Sequence, residues 1–214
     1  MSRVVVHPDF KELTDFVADI PQRFDTLGTS IHKERNELRA CSYGGFRLVI
    51  KSYALPNVAN RLVYGRLRAS KAERAYRHGL LLQKAGFGSP QPVAFVTEKG
   101  LLFGRSFFVS LESALPYTYK DLQVRDFPRL HDILLAVARN AAALHNAGFH
   151  LLDYSQGNIL FDDTSEEIRI ELVDLNRMSF GRVGVETGCR DFQRLEKDTV
   201  RREILIEEYL RRRL

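Results

Sequence analysis

Asp153 and Asn158 stand five positions apart in His150-Leu151-Leu152-Asp153-Tyr154-Ser155-Gln156-Gly157-Asn158, and a second aspartate, Asp174, follows in Glu171-Leu172-Val173-Asp174-Leu175-Asn176-Arg177. One carboxylate that can take a proton from an attacking hydroxyl, an amide five residues on that can hold a metal ion, and a later carboxylate that can hold metal against phosphates are the layout of phosphoryl transfer. Taken alone, the first pair reads equally well as a turn whose Asp153 and Ser155 bond their own backbone. Context decides: the pair follows a long helical pattern, precedes two strand-like runs, and is answered by Asp174 at the end of the second run. Strand ends that open into loops are where functional side chains concentrate.

Two upstream residues extend the pattern. Lys51 ends the apolar run Leu48-Val49-Ile50-Lys51. A lysine there is ordinarily an exposed charge on an edge strand, but in a phosphoryl-transfer site its ammonium would meet the ATP phosphates and pair with a glutamate on the next helix. Glu73 is the best placed partner, because Glu112 and Asp121 do not lie on the helix that follows the lysine strand. No GxGxxG precedes Lys51, and Gly44-Gly45 sits so close to it that a hairpin turn is expected there. Any phosphate cover therefore falls to residues 28–36, where Lys33 and Arg35 would supply charge.

The elements that must hold these residues can be read from periodicity. Phe10, Leu13, Phe16, Val17 and Ile20 recur at helical spacing after Pro8. Residues 38–43 and 46–53 read as a strand pair around the two glycines. A helix is expected from Ser70, its cap, to Ala85, closed by Gly86. Pro90 and Pro92 precede strands at 93–97 and 106–111, with a turn at Lys99-Gly100. A longer helix is predicted from Phe127 to Ala147, carried by Leu130, Ile133, Leu134, Val137, Ala141 and Leu144, and stopped by Gly148. Strands follow at 159–161 and 168–173, and a single final helix at about 190–213.

Length and composition bound the rest. The chain has 214 residues, enough for one domain or two small lobes with real cores. With 44% hydrophobic and 28% charged residues it is expected to fold rather than stay disordered. The net charge of +5 favours an anionic partner, and Arg61, Arg66, Arg68, Lys71, Arg74 and Arg77 form a basic segment that reads either as a solvated face or as a docking surface for such a partner. No nucleic-acid recognition motif accompanies that charge, so no nucleic-acid partner is expected. Cys41 and Cys189 are far apart and outside any ligand spacing, which argues against a disulfide framework or a zinc site and for a reducing compartment. The N-terminal apolar run is too short for a signal peptide, and no window reaches the length of a membrane span, so a cytoplasmic protein is expected.

In combination, four stretches make the chain resemble the lipopolysaccharide kinase family, bacterial enzymes that phosphorylate Kdo or heptose of the lipopolysaccharide core and are distant relatives of protein kinases. They are residues 31–36 with the Lys51 strand, Ser70-Lys71-Ala72-Glu73-Arg74, residues 86–92 with 104–109, and Asp153 to Asn158 with Asp174-Leu175-Asn176-Arg177. The resemblance spans about residues 25–195 and implies an α+β, two-lobed protein-kinase-like fold. That fold would comprise an N-terminal helical extension (1–24), an N-lobe of a small sheet plus one helix (25–112), and a reduced, mainly helical C-lobe (113–214). It implies Asp153 as catalytic base, Asn158 and Asp174 as Mg²⁺ ligands, Lys51 as the clamp on the ATP phosphates and Glu73 as its partner, with adenine near 110–114. The implied acceptor is an anionic saccharide or glycolipid, with peripheral membrane association at the inner face of the cytoplasmic membrane and no obligate protein partner.

Two positions depart from the kinase pattern: Leu151 stands where a histidine is usual, with His150 one place earlier, and Leu152 replaces the arginine before the catalytic aspartate. Loss of that arginine removes the group that receives an activation-loop phosphate, so constitutive activity is expected. Ser155 stands where protein kinases usually have a lysine, and no Ala-Pro-Glu signal follows Asp174, which favours a small or glycan acceptor. A protein or other small-molecule kinase and a nucleotide-binding pseudokinase scaffold are the competing readings.

Overall fold

The computed structural model describes residues 2–54, 69–98 and 104–213. The basic residues Arg61, Arg66 and Arg68 and the expected turn at Lys99-Gly100 lie outside them. Two compact units are formed, Met1–Leu81 with Pro90–Glu112, and Leu82–Ser89 with Ser113–Leu214.

The first unit is built on an antiparallel six-stranded sheet. Its strands are β1 (Arg3–Val6), β2 (Thr29–Lys33), β3 (Glu37–Tyr43), β4 (Phe46–Tyr53), β5 (Pro92–Thr97) and β6 (Ser106–Leu111), in the order β1-β5-β6-β4-β3-β2. Side chains alternate across such a sheet, so each strand feeds two separate cores. Leu48 and Ile50 of β4, Val96 of β5, and Phe107 and Val109 of β6 are buried against Phe16, Val17 and Ile20 of α1 (Thr14–Arg23). On the other face Tyr53 and Phe95 pack with Ala72, Ala75 and Tyr76 of α2 (Lys71–Lys84).

The start of α2 follows its sequence, because the Ser70 hydroxyl accepts the Glu73 backbone N–H at 3.1 Å. Residues 1–24 differ from expectation in one respect: Arg3–Val6 is a strand paired in register with β5, Val4 opposite Val96 and Val5 opposite Phe95. A run of three valines, Val4 to Val6, is too short to declare itself a strand until β5 offers its edge.

The second unit packs around α3 (Leu130–Asn146), whose Ile133, Leu134, Val137, Ala141 and Leu144 are fully or almost fully buried. Short strands flank it: β7 (Tyr117–Thr118), β9 (Ile159–Asp162) and β10 (Arg169–Leu172) form one antiparallel sheet in the order β10-β9-β7, and β8 (Phe149–Leu151) pairs with β11 (Met178–Phe180).

The expected single C-terminal helix is two, α4 (Val185–Leu195) and α5 (Thr199–Arg212). Two side chains cause the break. Buried Glu196 accepts from the Tyr119 hydroxyl at 2.7 Å and from the Asp198 N–H at 3.0 Å. Asp198 then caps α5 by accepting the Arg201 N–H at 2.9 Å. Among the described residues no helix is long and apolar enough to cross a membrane.

Candidate active site

The three residues around which the sequence pattern was built all lie in the second unit and are laced together there. Asp153 follows β8 in a turn held at both ends: the Leu152 N–H donates to the Arg177 carbonyl at 2.9 Å, and the Asn158 N–H donates to the Ser155 carbonyl at 2.9 Å. Tyr154 drives the turn into the core, where its ring meets Phe192 edge-on, and burial pushes its phenol well above the ordinary range. Gln156 fastens the same turn to the end of α4 through a 2.8 Å bond to the Leu195 carbonyl.

Asn158 closes the turn on itself. Its Nδ2 donates to the Asp153 carbonyl at 3.0 Å. The nitrogen is thereby committed, and the acceptor end of the amide is its oxygen, the atom type that hard cations take. The Asn158 carbonyl accepts the Val173 N–H at 3.0 Å, so β10 delivers Asp174 beside the Asn158 turn. Leu172 is fixed in turn by a 2.9 Å bond from its N–H to the Gly88 carbonyl.

Asp174 is the single non-glycine residue at positive φ (58°) among the described residues. That conformation costs an aspartate on the order of 1–3 kcal/mol and persists only where its surroundings impose it, a pattern that clusters at functional sites. Here the Asn176 side chain donates to the Asp174 carboxylate. Asp174 and Asn158 thus offer oxygen donors of the kind Mg²⁺ prefers, so this pair fits the ion that kinase chemistry requires.

Lys51 and Glu73 lie in the first unit. Lys51 is not on an edge: β4 runs between β3 and β6, with Lys51 opposite Leu38 on one side and Phe108 on the other. Its side chain is half-buried, with Nζ 5.3 Å from the Tyr53 ring centroid, on the sheet face covered by α2. Glu73, on that helix, is 5% exposed, and its carboxylate takes Arg3 at 2.8 Å and Arg77 at 2.6 Å. Arg77 is the i+4 neighbour of Glu73 on α2, whereas Arg3 reaches it only through the unexpected strand β1. Residues 28–36, the expected phosphate cover, form β2 and the turn into β3, with Lys33 and Arg35 exposed.

His150, one place earlier than the usual kinase histidine, sets its Nε2 3.0 Å from the carboxylate of Asp191 on α4, which accepts the hydrogen bond. Asp191 was missed from the sequence, although its signal is there: Gly188, Asp191, Phe192 and Leu195 share the buried stripe of α4, and a carboxylate on an apolar stripe needs a partner.

The profile of the Lipopolysaccharide kinase (Kdo/WaaP) family matches residues 57–211, a span that holds Glu73, Asp153, Asn158 and Asp174 and begins after Lys51. A search of curated proteins finds no significant sequence match. Among solved structures the chain is similar to WaaP in complex with acyl carrier protein, at 19% identity and a TM-score of 0.66, covering 98% of this chain and 89% of that one. It is also similar to the Rio2 kinase of Chaetomium thermophilum, in its complex with ADP/Mg²⁺ and phosphoaspartate, at 17% identity and a TM-score of 0.55 over 89% of this chain and 60% of that one. The bifunctional kinase-methyltransferase WbdD gives 14% identity and a TM-score of 0.51, over 83% and 42% of the two chains. At these identities the likenesses establish a kinase-like α+β fold, as the sequence pattern predicts.

Proposed function

Because the chain belongs to the lipopolysaccharide kinase (Kdo/WaaP) family, we propose that it transfers the γ-phosphoryl group of ATP to a hydroxyl of a lipopolysaccharide-core sugar, Kdo or heptose. Family membership carries the reaction class, a phosphotransferase acting on sugar. The observation that supports the residue assignment is the tie between Asn158 Nδ2 and the Asp153 carbonyl, with Asp174 held in its unusual conformation beside them.

In this reading Asp153 receives the proton of the attacking sugar hydroxyl. Asn158, through its amide oxygen, and Asp174, through its carboxylate, hold Mg²⁺. The Lys51 ammonium binds the ATP phosphates, and Glu73 orients the basic groups on its side of the sheet. Bound Mg·ATP supplies the transferable phosphoryl group and neutralises the charge that builds up around it. Most of the rate enhancement then comes from positioning and charge, which this chain's fixed loop provides without reorganising. The acceptor is an anionic saccharide or glycolipid, reached from the inner face of the cytoplasmic membrane, and the net charge of +5 favours such a surface. An acyl carrier protein, named with WaaP, is the protein partner to test first.

The test is incubation of the purified chain with labelled ATP and separate protein, free-sugar and core-glycolipid fractions. Label entering the glycolipid or sugar fraction supports the proposal. Label confined to protein would make the chain a protein kinase, and Mg·ATP binding with no transfer to any fraction would make it a pseudokinase scaffold.

A further inference from the structure

Away from Asp153, the second unit carries a polar cluster that the phosphotransferase reading leaves unused. His145 lies near the end of α3, His150 in the middle of β8 and Asp191 on α4, so three segments distant in sequence or direction converge on it. Asp191 Oδ2 is 3.0 Å from His150 Nε2 and 3.9 Å from His145 Nε2, and the three donor atoms all lie within 4.8 Å of one another.

The His145 ring is the telling member. Its side chain is 2% exposed, its Nδ1 is bonded to the Tyr209 hydroxyl at 2.9 Å, and its Nε2 faces Asp191 with no hydrogen-bond partner among the described residues. A buried nitrogen in that position is costly unless something sits on it. At 3.9 Å a proton cannot bridge it to Asp191, because a hydrogen bond needs about 3 Å. An ion bonded to both, at about 2.0–2.2 Å from each, spans the gap.

We propose that His145, His150 and Asp191 form a binding site for a zinc-class divalent transition-metal ion. Two imidazoles and one carboxylate suit Zn²⁺ and disfavour the hard, oxygen-seeking Mg²⁺. The outer partners of metal ligands are also present. The Tyr209 hydroxyl holds the His145 ring at Nδ1, leaving Nε2 as the ligating atom, and Arg194 takes the other oxygen of Asp191. A cavity of about 430 Å³, lined by His150, Thr187, Arg190, Asp191, Gln193 and Arg194, gives an entry path and room for water as the fourth ligand. An ion here would pin β8 to α3 and α4, three residues before Asp153, which makes its role one of positioning.

The experiment uses the full chain without a polyhistidine tag, treated with a chelator and then dialysed. Expected are uptake of one equivalent of Zn²⁺ with a rise in Tm of about 5 °C, and the visible bands of four-coordinate cobalt when Co²⁺ replaces it. His150→Gln, at the cavity wall and so least disruptive, should abolish both signals, as should His145→Gln if it folds. A wild-type chain that neither binds the metals nor gains Tm would overturn the proposal, and so would a His150→Gln chain that responds as the wild type does. Because metal uptake is read without ATP or acceptor, its outcome is independent of the kinase assignment.

Discussion

At the residue scale, the roles proposed for Asp153 as base and Asp174 as metal ligand should fail differently when removed. Asp153→Asn keeps the shape of the turn, since Asn158 bonds the backbone carbonyl of residue 153 and not its side chain. Turnover should fall by roughly 10²- to 10⁴-fold, the usual worth of a general base, while nucleotide affinity measured by calorimetry stays within about twofold. Asp174→Ala removes an oxygen donor, and should weaken Mg·ATP binding by at least about tenfold while leaving ATP binding without metal unchanged. The tie between Asp153 and Asn158 is legible in the sequence because five positions separate them and one turn closes the pair. Arg3 as a partner of Glu73 is not, since seventy positions separate them and only strand pairing unites them. His150 could be singled out as displaced, but its partner Asp191 lies on another helix and shows itself only as a carboxylate on an apolar stripe.

At the element scale, the break between α4 and α5 lets one helix lie directly on the other. A Cβ built on Gly188 of α4 would come within 2.2 Å of the Tyr209 ring on α5, and Tyr209 is fully buried. Alanine in a helix gains up to about 1 kcal/mol over glycine, but overpacking a core costs about 1–3 kcal/mol, so Gly188→Ala should destabilise on balance. Chemical denaturation should show a lower midpoint with an unchanged slope.

The β9–β10 hairpin carries an acid-sensitive lock. The Asp162 carboxylate takes Arg169, then the Thr164 N–H and hydroxyl, and these lower its pKa from 3.8 to about 2. A depressed acid contributes stability that is complete above its unfolded value and is lost as pH falls through the folded one. Stability attributable to Asp162 should therefore disappear between about pH 4 and pH 2, and an Asp162→Asn chain should show a shallower loss across that window. The sequence marks this hairpin well, because two β-branched and aromatic runs flank an acidic turn. It does not mark the α4–α5 break, since residues 190–213 keep a helical pattern throughout, and Glu196, which with Asp198 makes the break, is held by Tyr119 from seventy-seven positions away.

At the scale of the whole molecule, two compact units divide the expected site residues between them, Lys51 and Glu73 in one and Asp153, Asn158 and Asp174 in the other. The kinase-like α+β class is readable from the order of elements, a sheet with one helix followed by a mainly helical half, and the solved relatives bear it out. The acceptor is not readable in the same way, because a sugar is recognised by surface side chains whose arrangement no local spacing dictates. The central claim is that this chain uses ATP to phosphorylate a lipopolysaccharide-core sugar with Asp153 as base. Mass spectrometry of purified core glycolipid after incubation with Mg·ATP and the chain tests it most directly. The account predicts one added phosphoryl group on Kdo or heptose with the wild type and none with Asp153→Asn; equal phosphorylation by both chains, or by neither, would contradict it.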